Sequence, residues 1–170
     1  IDAIKACQGD GFKYYLQGSA MKYLWRYEHK EKPIQDLEKA KWFINKASKY
    51  SSEREVFGRP IGKNQGIQFP LADAYIKLQS SDLMVRKATA MFEAGLHCGA
   101  EANCGKYLSA EALWACAEAC FTTHGGFAFA REYDVERKWR EARLYRTAPI
   151  SENMILAYIG QNVLGMPRSY

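Results

Sequence analysis

The sequence lacks the long apolar runs that mark membrane proteins and secreted precursors. No run of about eighteen apolar residues occurs, and no signal-like apolar segment follows the N-terminus. A dense basic patch, which is typical of nucleic-acid binding, is missing as well, since the net charge is only +5 and basic residues are interleaved with acidic ones. We therefore expect a cytoplasmic globular protein that binds neither membranes nor nucleic acids.

Disulfide-scaffold and zinc-site spacings are also missing. The five cysteines are an odd number, and His97 together with Cys98 and Cys104 completes no recognisable zinc pattern. Cys116 and Cys120 lie four residues apart on one face of a predicted helix, which leaves a soft-metal pair as an alternative. The favoured interpretation is that they are small buried residues in a reducing compartment. We predict no metal site.

No segment alternates between apolar and polar residues as a half-buried strand would, whereas helical periodicity runs through most of the chain. At 170 residues, the chain is long enough to bury a real core. The sequence therefore predicts an all-α fold, a helical bundle with an N-terminal helical hairpin. The predicted helices after the hairpin cover 65–96, with a candidate kink at 80–81, then 100–123, 133–146 and 151–164.

Several helix ends carry their own signals. Gly125 and Gly126 should end the helix over 100–123, because glycine tolerates the left-handed conformation found at helix C-termini. Ser151 is a candidate N-cap for the last helix, and Glu152 would lie in its first turn, where negative charge is favourable. The apolar face predicted for that helix consists of Met154, Ile155, Tyr158, Ile159 and Val163.

Four motifs follow one another between residues 52 and 170. They are Arg54-Glu55-Val56-Phe57-Gly58, then Asn64-Gln65, then His124-Gly125-Gly126-Phe127, and finally the helix segment 136–143, which has an arginine at every third position from 137. In this order and at these separations they resemble the C-terminal helical domain of the flavin-dependent acyl-CoA dehydrogenases. The resemblance implies a helical bundle from a family that oxidises acyl-CoA thioesters with FAD.

The resemblance also implies cofactor contacts. In the family, the arginine and phenylalanine matched by Arg54 and Phe57, and the glutamine matched by Gln65, approach the FAD of a neighbouring subunit. A planar, permanently charged guanidinium suits a pyrophosphate. The alternative for Arg54 is a solvated charge at a helix end, and for Phe57 a core anchor.

The glycine pair Gly125-Gly126 matches positions where the family's backbone lies close to the adenine end of FAD. Two departures accompany this match, because Thr122 stands where the family usually has glutamine and Ala128 where it usually has a third glycine. A helix C-cap followed by a turn is the alternative explanation for the pair.

The catalytic base of the family has no counterpart at its usual position. These enzymes use a carboxylate to remove the proton alpha to the thioester carbonyl. Many members place a glutamate where this chain has Pro149, and Glu152 is displaced by three positions. Other members place the base near the start of an earlier helix, where the nearest carboxylate here is Glu28. We expect no catalytic residue in this chain.

The first fifty residues resemble a small bacteriophage-associated family, some of whose members are nucleotide kinases. Two helices are predicted around the basic turn 29–33, and an amphipathic hairpin is the alternative explanation. We divide the chain into 1–50 and 51–170. The helix that joins the two parts should run unbroken over 33–54, with Leu37, Ile44 and Ala47 buried.

The functional prediction follows from these parts. We expect an acyl-CoA dehydrogenase-related helical domain that self-associates, that contacts flavin or acyl-CoA, and that is inactive and holds no tightly bound FAD as this chain alone. A scaffold protein without turnover and a phage nucleotide-metabolism protein are the alternatives. The chain begins with Ile1 rather than Met, which suggests a processed or truncated product, and natural fusion, recombination and engineering all remain open.

Overall fold

Five α-helices make up most of the chain that the structure describes. This computed structural model describes residues 35–168, so the predicted N-terminal hairpin, Cys7 and Glu28 lie outside the described residues. The helices form a bundle, which confirms the all-α prediction for the described part. They are α1 (Gln35–Glu53), α2 (Gln65–Glu93), α3 (Gly99–His124), α4 (Val135–Leu144) and α5 (Glu152–Tyr158).

Helix α1 runs without a break through residues 48–52, as predicted. Its buried residues recur at helical spacing and form one apolar stripe, which packs against α2 and α3. Leu37 and Ala47 are buried as expected, while Ile44 is half-buried against the same core. The residues on either side of position 50 therefore lie on one continuous helix.

Small residues let α2 and α3 approach closely. A Cβ on Gly105 of α3 would lie 3.4 Å from Cγ2 of Val85 in α2, so there is little spare room between the two helices. Helix α2 passes unbroken through the candidate kink at 80–81. Ser81 is buried there, and its hydroxyl donates to the Leu78 carbonyl at 2.8 Å, so its polar group is satisfied inside the helix.

Three predicted helices differ in their bounds. Helix α4 covers Val135–Leu144 rather than 133–146. Helix α2 ends at Glu93 rather than 96, because Gly95 adopts a positive φ of 70° and its N–H bonds back to Phe92. Helix α5 ends at Tyr158 and continues as a π-helix over Ile159–Val163. Val163, which the helical spacing assigns to the apolar face, is instead exposed.

The N-terminus of α5 follows the prediction. The Ser151 hydroxyl accepts a hydrogen bond from the Met154 N–H at 3.4 Å and caps the helix. Ile155 is buried with Ile150 and Ala102, and this small cluster holds α5 against α3. Within residues 35–168, no helix combines the length and the apolar character needed to cross a membrane.

A short β-hairpin between α1 and α2 was not predicted. Strands β1 (Glu55–Val56) and β2 (Arg59–Pro60) pair in antiparallel fashion, with Glu55 opposite Pro60 and Val56 opposite Arg59. Each strand has only two residues, which is too short for any apolar alternation to show in the sequence.

Candidate functional site

The hairpin presents Phe57 at its tip. Phe57 and Gly58 both have positive φ, 54° and 73°, which is the pattern of a two-residue type I′ turn. A bulky residue in this conformation costs about 1–2 kcal/mol. The Phe57 side chain is 100% exposed, so no packing within the described chain offsets that cost. The alternative of a core anchor is therefore wrong, and an external contact for this ring is favoured.

The glycine pair lies at the end of α3. Gly125 has φ 56° and ψ −133°, a conformation open to glycine, and its N–H donates to the carbonyls of Phe121 and Thr122. A Cβ on Gly126 would meet nothing within 4 Å, and both glycines are exposed. The helix end therefore explains Gly125, whereas the described chain imposes no steric need for glycine at position 126.

Arg54 and the glycine turn lie side by side. The Arg54 guanidinium carbon lies 5.2 Å from the centre of the Phe127 ring, a cation–π contact. The Arg54 side chain is exposed, and within residues 35–168 it makes no ion pair. The structure thus brings the motif arginine and the segment Gly125–Phe129 onto one surface.

A stack of two aromatic rings connects α1 with the end of α3, one helical turn before Arg54. The rings of Tyr50 in α1 and His124 in α3 lie 4.1 Å apart and nearly parallel. We did not predict a role for either ring. A usable signal was present, since Tyr50 comes one helical turn before Arg54 and His124 comes directly before Gly125.

Gln65 is the exposed first residue of α2. The loop before it is tied down by Asn64, whose side chain donates to the Ile61 carbonyl at 2.9 Å and accepts from Arg59 at 3.0 Å. Gln68 also donates to the Gly62 carbonyl at 2.7 Å. These bonds fix the start of α2 relative to the hairpin, and with it the position of Gln65.

Pro149 occupies the position where many members of the family have the catalytic glutamate, and it is exposed just before α5. Glu152 lies in the first turn of α5, as expected, and accepts a hydrogen bond from Arg146 at 2.8 Å. Burial acts to raise the pKa of Glu152, but the hydrogen bonds from Arg146 and Glu111 outweigh it and hold that pKa below its usual value. A carboxylate with a depressed pKa is a weak base, so Glu152 is poorly suited to proton abstraction.

The cysteine residues of α3 behave as apolar side chains. Cys116 and Cys120 are fully buried, and burial, the dominant cause, raises the pKa of each thiol to about 12. The Cys116 thiol donates to the Ala74 carbonyl of α2 at 3.6 Å. Across residues 35–168, no three histidine, cysteine or acidic side chains are arranged to hold a metal ion.

Comparison with known proteins assigns the family. The model of the C-terminal domain of acyl-CoA dehydrogenases matches residues 33–164. The chain belongs to the acyl-CoA dehydrogenase family. A second family of unknown function, DUF3310, matches residues 1–45 and overlaps the first match within α1. That second match does not show the predicted likeness to phage nucleotide kinases.

The acyl-CoA dehydrogenase relatives match over one domain. The acyl-CoA dehydrogenase FadE12 of Mycobacterium tuberculosis is 38% identical over 129 residues, which are 75% of this chain and 33% of the relative. The 3-(aryl)acrylate reductase of Clostridium sporogenes is 32% identical over 67% of this chain and 31% of its own length. The chain thus spans about a third of the length of the curated relatives it matches.

Solved structures show the same fold. The glutaryl-CoA dehydrogenase solved in complex with glutaryl-CoA superposes with a TM-score of 0.80 at 26% identity, covering 95% of this chain and 40% of that one. Butyryl-CoA dehydrogenase of Megasphaera elsdenii superposes with a TM-score of 0.77 at 24% identity, covering 89% and 37%. The bundle is therefore the C-terminal helical fold of acyl-CoA dehydrogenases, a family that depends on FAD.

Proposed function

We propose that this chain is the helical domain of a flavin-dependent acyl-CoA dehydrogenase that lends its surface to the FAD of a neighbouring subunit. The supporting observation is the Arg54–Phe127 contact, which places the motif arginine beside the glycine turn on one exposed surface. The residues assigned to the FAD contact are Arg54, Phe57, Gln65, Gly125 and Gly126.

The chemistry of this surface fits the dinucleotide part of FAD. The Arg54 guanidinium offers planar, charged donors to a pyrophosphate. The exposed backbone at Gly126 and the exposed ring of Phe57 can approach the adenosine end without displacing side chains of the described part. When bound, FAD would accept the hydride in the α,β-dehydrogenation of an acyl-CoA thioester. The present residues bind and orient it, and none of them is assigned as the base.

Replacing Arg54 by alanine should weaken nucleotide binding. ADP is the suitable probe, because it carries the adenosine and pyrophosphate without the flavin ring. We expect weak binding to the wild-type chain and no stoichiometric FAD after purification, because these residues form only one side of the proposed FAD site. Arg54→Ala should lower the ADP affinity about tenfold, since a charge-assisted hydrogen bond contributes about 1.5–3 kcal/mol. ADP titrations followed by amide NMR shifts measure the ADP affinity of the wild-type chain and of Arg54→Ala.

The matched control is Arg140→Ala, which removes an exposed arginine of α4 that pairs with Glu136. It should leave the ADP affinity unchanged. In the wild-type chain, the shifts caused by ADP should concentrate at Arg54, Phe57 and Gly125–Phe129. Shifts spread over α4, no response to ADP, or co-purification of stoichiometric FAD would contradict the proposal.

We further propose that the chain self-associates through an apolar stripe on α2. Phe69, Ile76 and Leu83 are 61%, 62% and 68% exposed and follow one another at intervals of seven residues. They lie on the side of α2 opposite its buried face, which is the spacing of a helix–helix seam. Ion pairs border the stripe on both sides, Asp73 with Lys77 and Asp82 with Arg86, each at 2.7 Å.

Self-association is measured by light scattering at micromolar concentration. We expect a dimer or a larger oligomer, because exposed apolar patches of this kind usually find a partner. The double variant Ile76→Glu/Leu83→Glu should shift the chain to monomer, since it places charges in the seam. Lys77→Ala, on the same helix beside the stripe, should not. A monomeric wild-type chain would refute the proposal.

A further inference from the structure

The His124 ring is enclosed at the end of α3. Its side chain is 2% exposed, and Nδ1 lies 2.8 Å from the carbonyl oxygen of Cys120. A carbonyl oxygen only accepts hydrogen bonds, so Nδ1 carries the proton in this arrangement. Nε2 is then a bare acceptor, and it is buried without a hydrogen-bond partner among the described residues. The environment therefore favours the neutral ring.

The ring also joins three elements. The Tyr50 ring of α1 covers one face of His124 at 4.1 Å and 18°. Tyr133, from the 3-10 turn Arg131–Tyr133, meets His124 edge-on at 5.5 Å and Tyr50 at 5.6 Å. Arg54 follows Tyr50 by one helical turn, and Gly125 follows His124 directly. The two stacked rings therefore belong to residues next to both parts of the proposed nucleotide surface along the chain.

We propose that His124 is a positioning residue whose neutral ring holds the end of α1 against the glycine turn, and that protonation of His124 opens this contact. The inference rests on the proposed FAD contact only for its effect on nucleotide binding. The structural part concerns the geometry of Arg54 and Phe127 and stands without a nucleotide.

The surroundings of His124 disfavour a positive charge. The groups that face the ring are Lys46 and Tyr50 from α1, Tyr133 from the turn, and Cys120 from α3 itself, and the charge of Arg54 acts on Tyr50. Protonation would create a buried Nε2–H donor without an acceptor, close to the Lys46 ammonium. Burial is the main cause that lowers the pKa of His124. The hydrogen bond to the Cys120 carbonyl opposes this shift, and the Lys46 charge adds to it, so the pKa stays below its ordinary value.

The direction of the pH effect follows. Because the folded pKa of His124 lies below its ordinary value, the unfolded chain binds more protons over the pH range between the two values. The stability that neutral His124 contributes is complete above the ordinary pKa of about 6.5 and is lost progressively as the pH falls below it. Acidification should therefore loosen the stack before the whole chain unfolds.

The test is a pH titration of the full labelled chain followed by NMR, from about pH 7.5 down to about one pH unit below the midpoint of His124. Ring nitrogen shifts report the tautomer and protonation of His124, and amide shifts report Arg54 and Phe127. We expect the Nδ1–H tautomer at neutral pH and amide changes at Arg54 and Phe127 that share the midpoint of His124. In ADP titrations, the affinity should fall about tenfold one pH unit below that midpoint, where about a tenth of the rings remain neutral.

His124→Phe is the decisive variant, since it keeps an aromatic ring for Tyr50 but cannot take up a proton. Its Arg54 and Phe127 amides should lose the pH response, and its ADP affinity should keep only the part that comes from protonation of the ADP phosphate, which has a pKa of about 6. If this variant does not fold, Tyr50→Leu provides the second test, because His124 should then titrate without moving Arg54. Protonation of wild-type His124 without changes at Arg54 and Phe127, or the same response in His124→Phe, would overturn the proposal. Failure to bind ADP at any pH would count against the proposed function alone.

Discussion

Phe43→Ala should lower the melting temperature of the whole chain by about 10 °C in a single transition. Phe43 is 1% exposed and belongs to the core that α1, α2 and α3 share. Truncating a buried phenylalanine to alanine costs about 3–5 kcal/mol, because apolar contacts are lost and a cavity remains. Since α1 packs against both α2 and α3, the loss of this contact should destabilise the entire bundle.

The control is Lys41→Ala, two residues away on the exposed side of α1. It should change the unfolding free energy by less than about 0.5 kcal/mol. Ile44→Ala should lower the same transition by less than Phe43→Ala, because Ile44 is only half-buried. Circular dichroism melts of the three variants measure these effects. Two separate melts, of which only one responds, would show that the division at residue 50 separates independent folding units.

Alkylation of the folded chain should spare Cys116 and Cys120. Only the thiolate reacts, and a thiol whose pKa lies at about 12 forms about a thousandfold less thiolate near neutral pH than one at its ordinary value of 9.0. Burial is the main cause of both shifts, and it also keeps the reagent out. Iodoacetamide labelling followed by peptide mass spectrometry measures the rate at each cysteine.

Cys104 serves as the internal reference, because it lies in the same helix but is only partly buried. Cys104 should react before Cys116 and Cys120 in the folded chain. In urea, Cys104, Cys116 and Cys120 should react at similar rates, since unfolding removes the burial. Rapid labelling of Cys116 or Cys120 in the folded chain would contradict the buried, neutral state and reopen the alternative of a metal-binding thiolate pair.

The long helices were predictable because their signals are local. Apolar residues three and four positions apart define the buried face of α1, and small residues define the tight face of α3. Gly125 marks the end of α3 through its own backbone conformation, and Ser151 caps α5 through a bond to the next turn. Each of these depends on residues within about one helical turn of each other, which a single sequence displays directly.

Two features escaped prediction for equally physical reasons. The hairpin after α1 has strands of two residues, and its turn places Phe57 at positive φ, where sequence preference argues against a bulky residue. The change from α-helix to π-helix after Tyr158 leaves Val163 exposed, although the helical spacing assigned Val163 to the apolar face. A shift in helical period is decided by how the segment packs and is invisible to a fixed 3.6-residue spacing.

The sequence by itself determined the helical class, the continuity of α1 through residue 50, and the motif residues from Arg54 to Gly126. Only the tertiary structure decided how those motifs meet. Arg54 lies against Phe127, and Tyr50 stacks on His124, although about seventy residues separate the members of each pair. Such contacts depend on how α1 and α3 pack across the bundle. No local periodicity encodes a contact between residues that lie so far apart in the sequence.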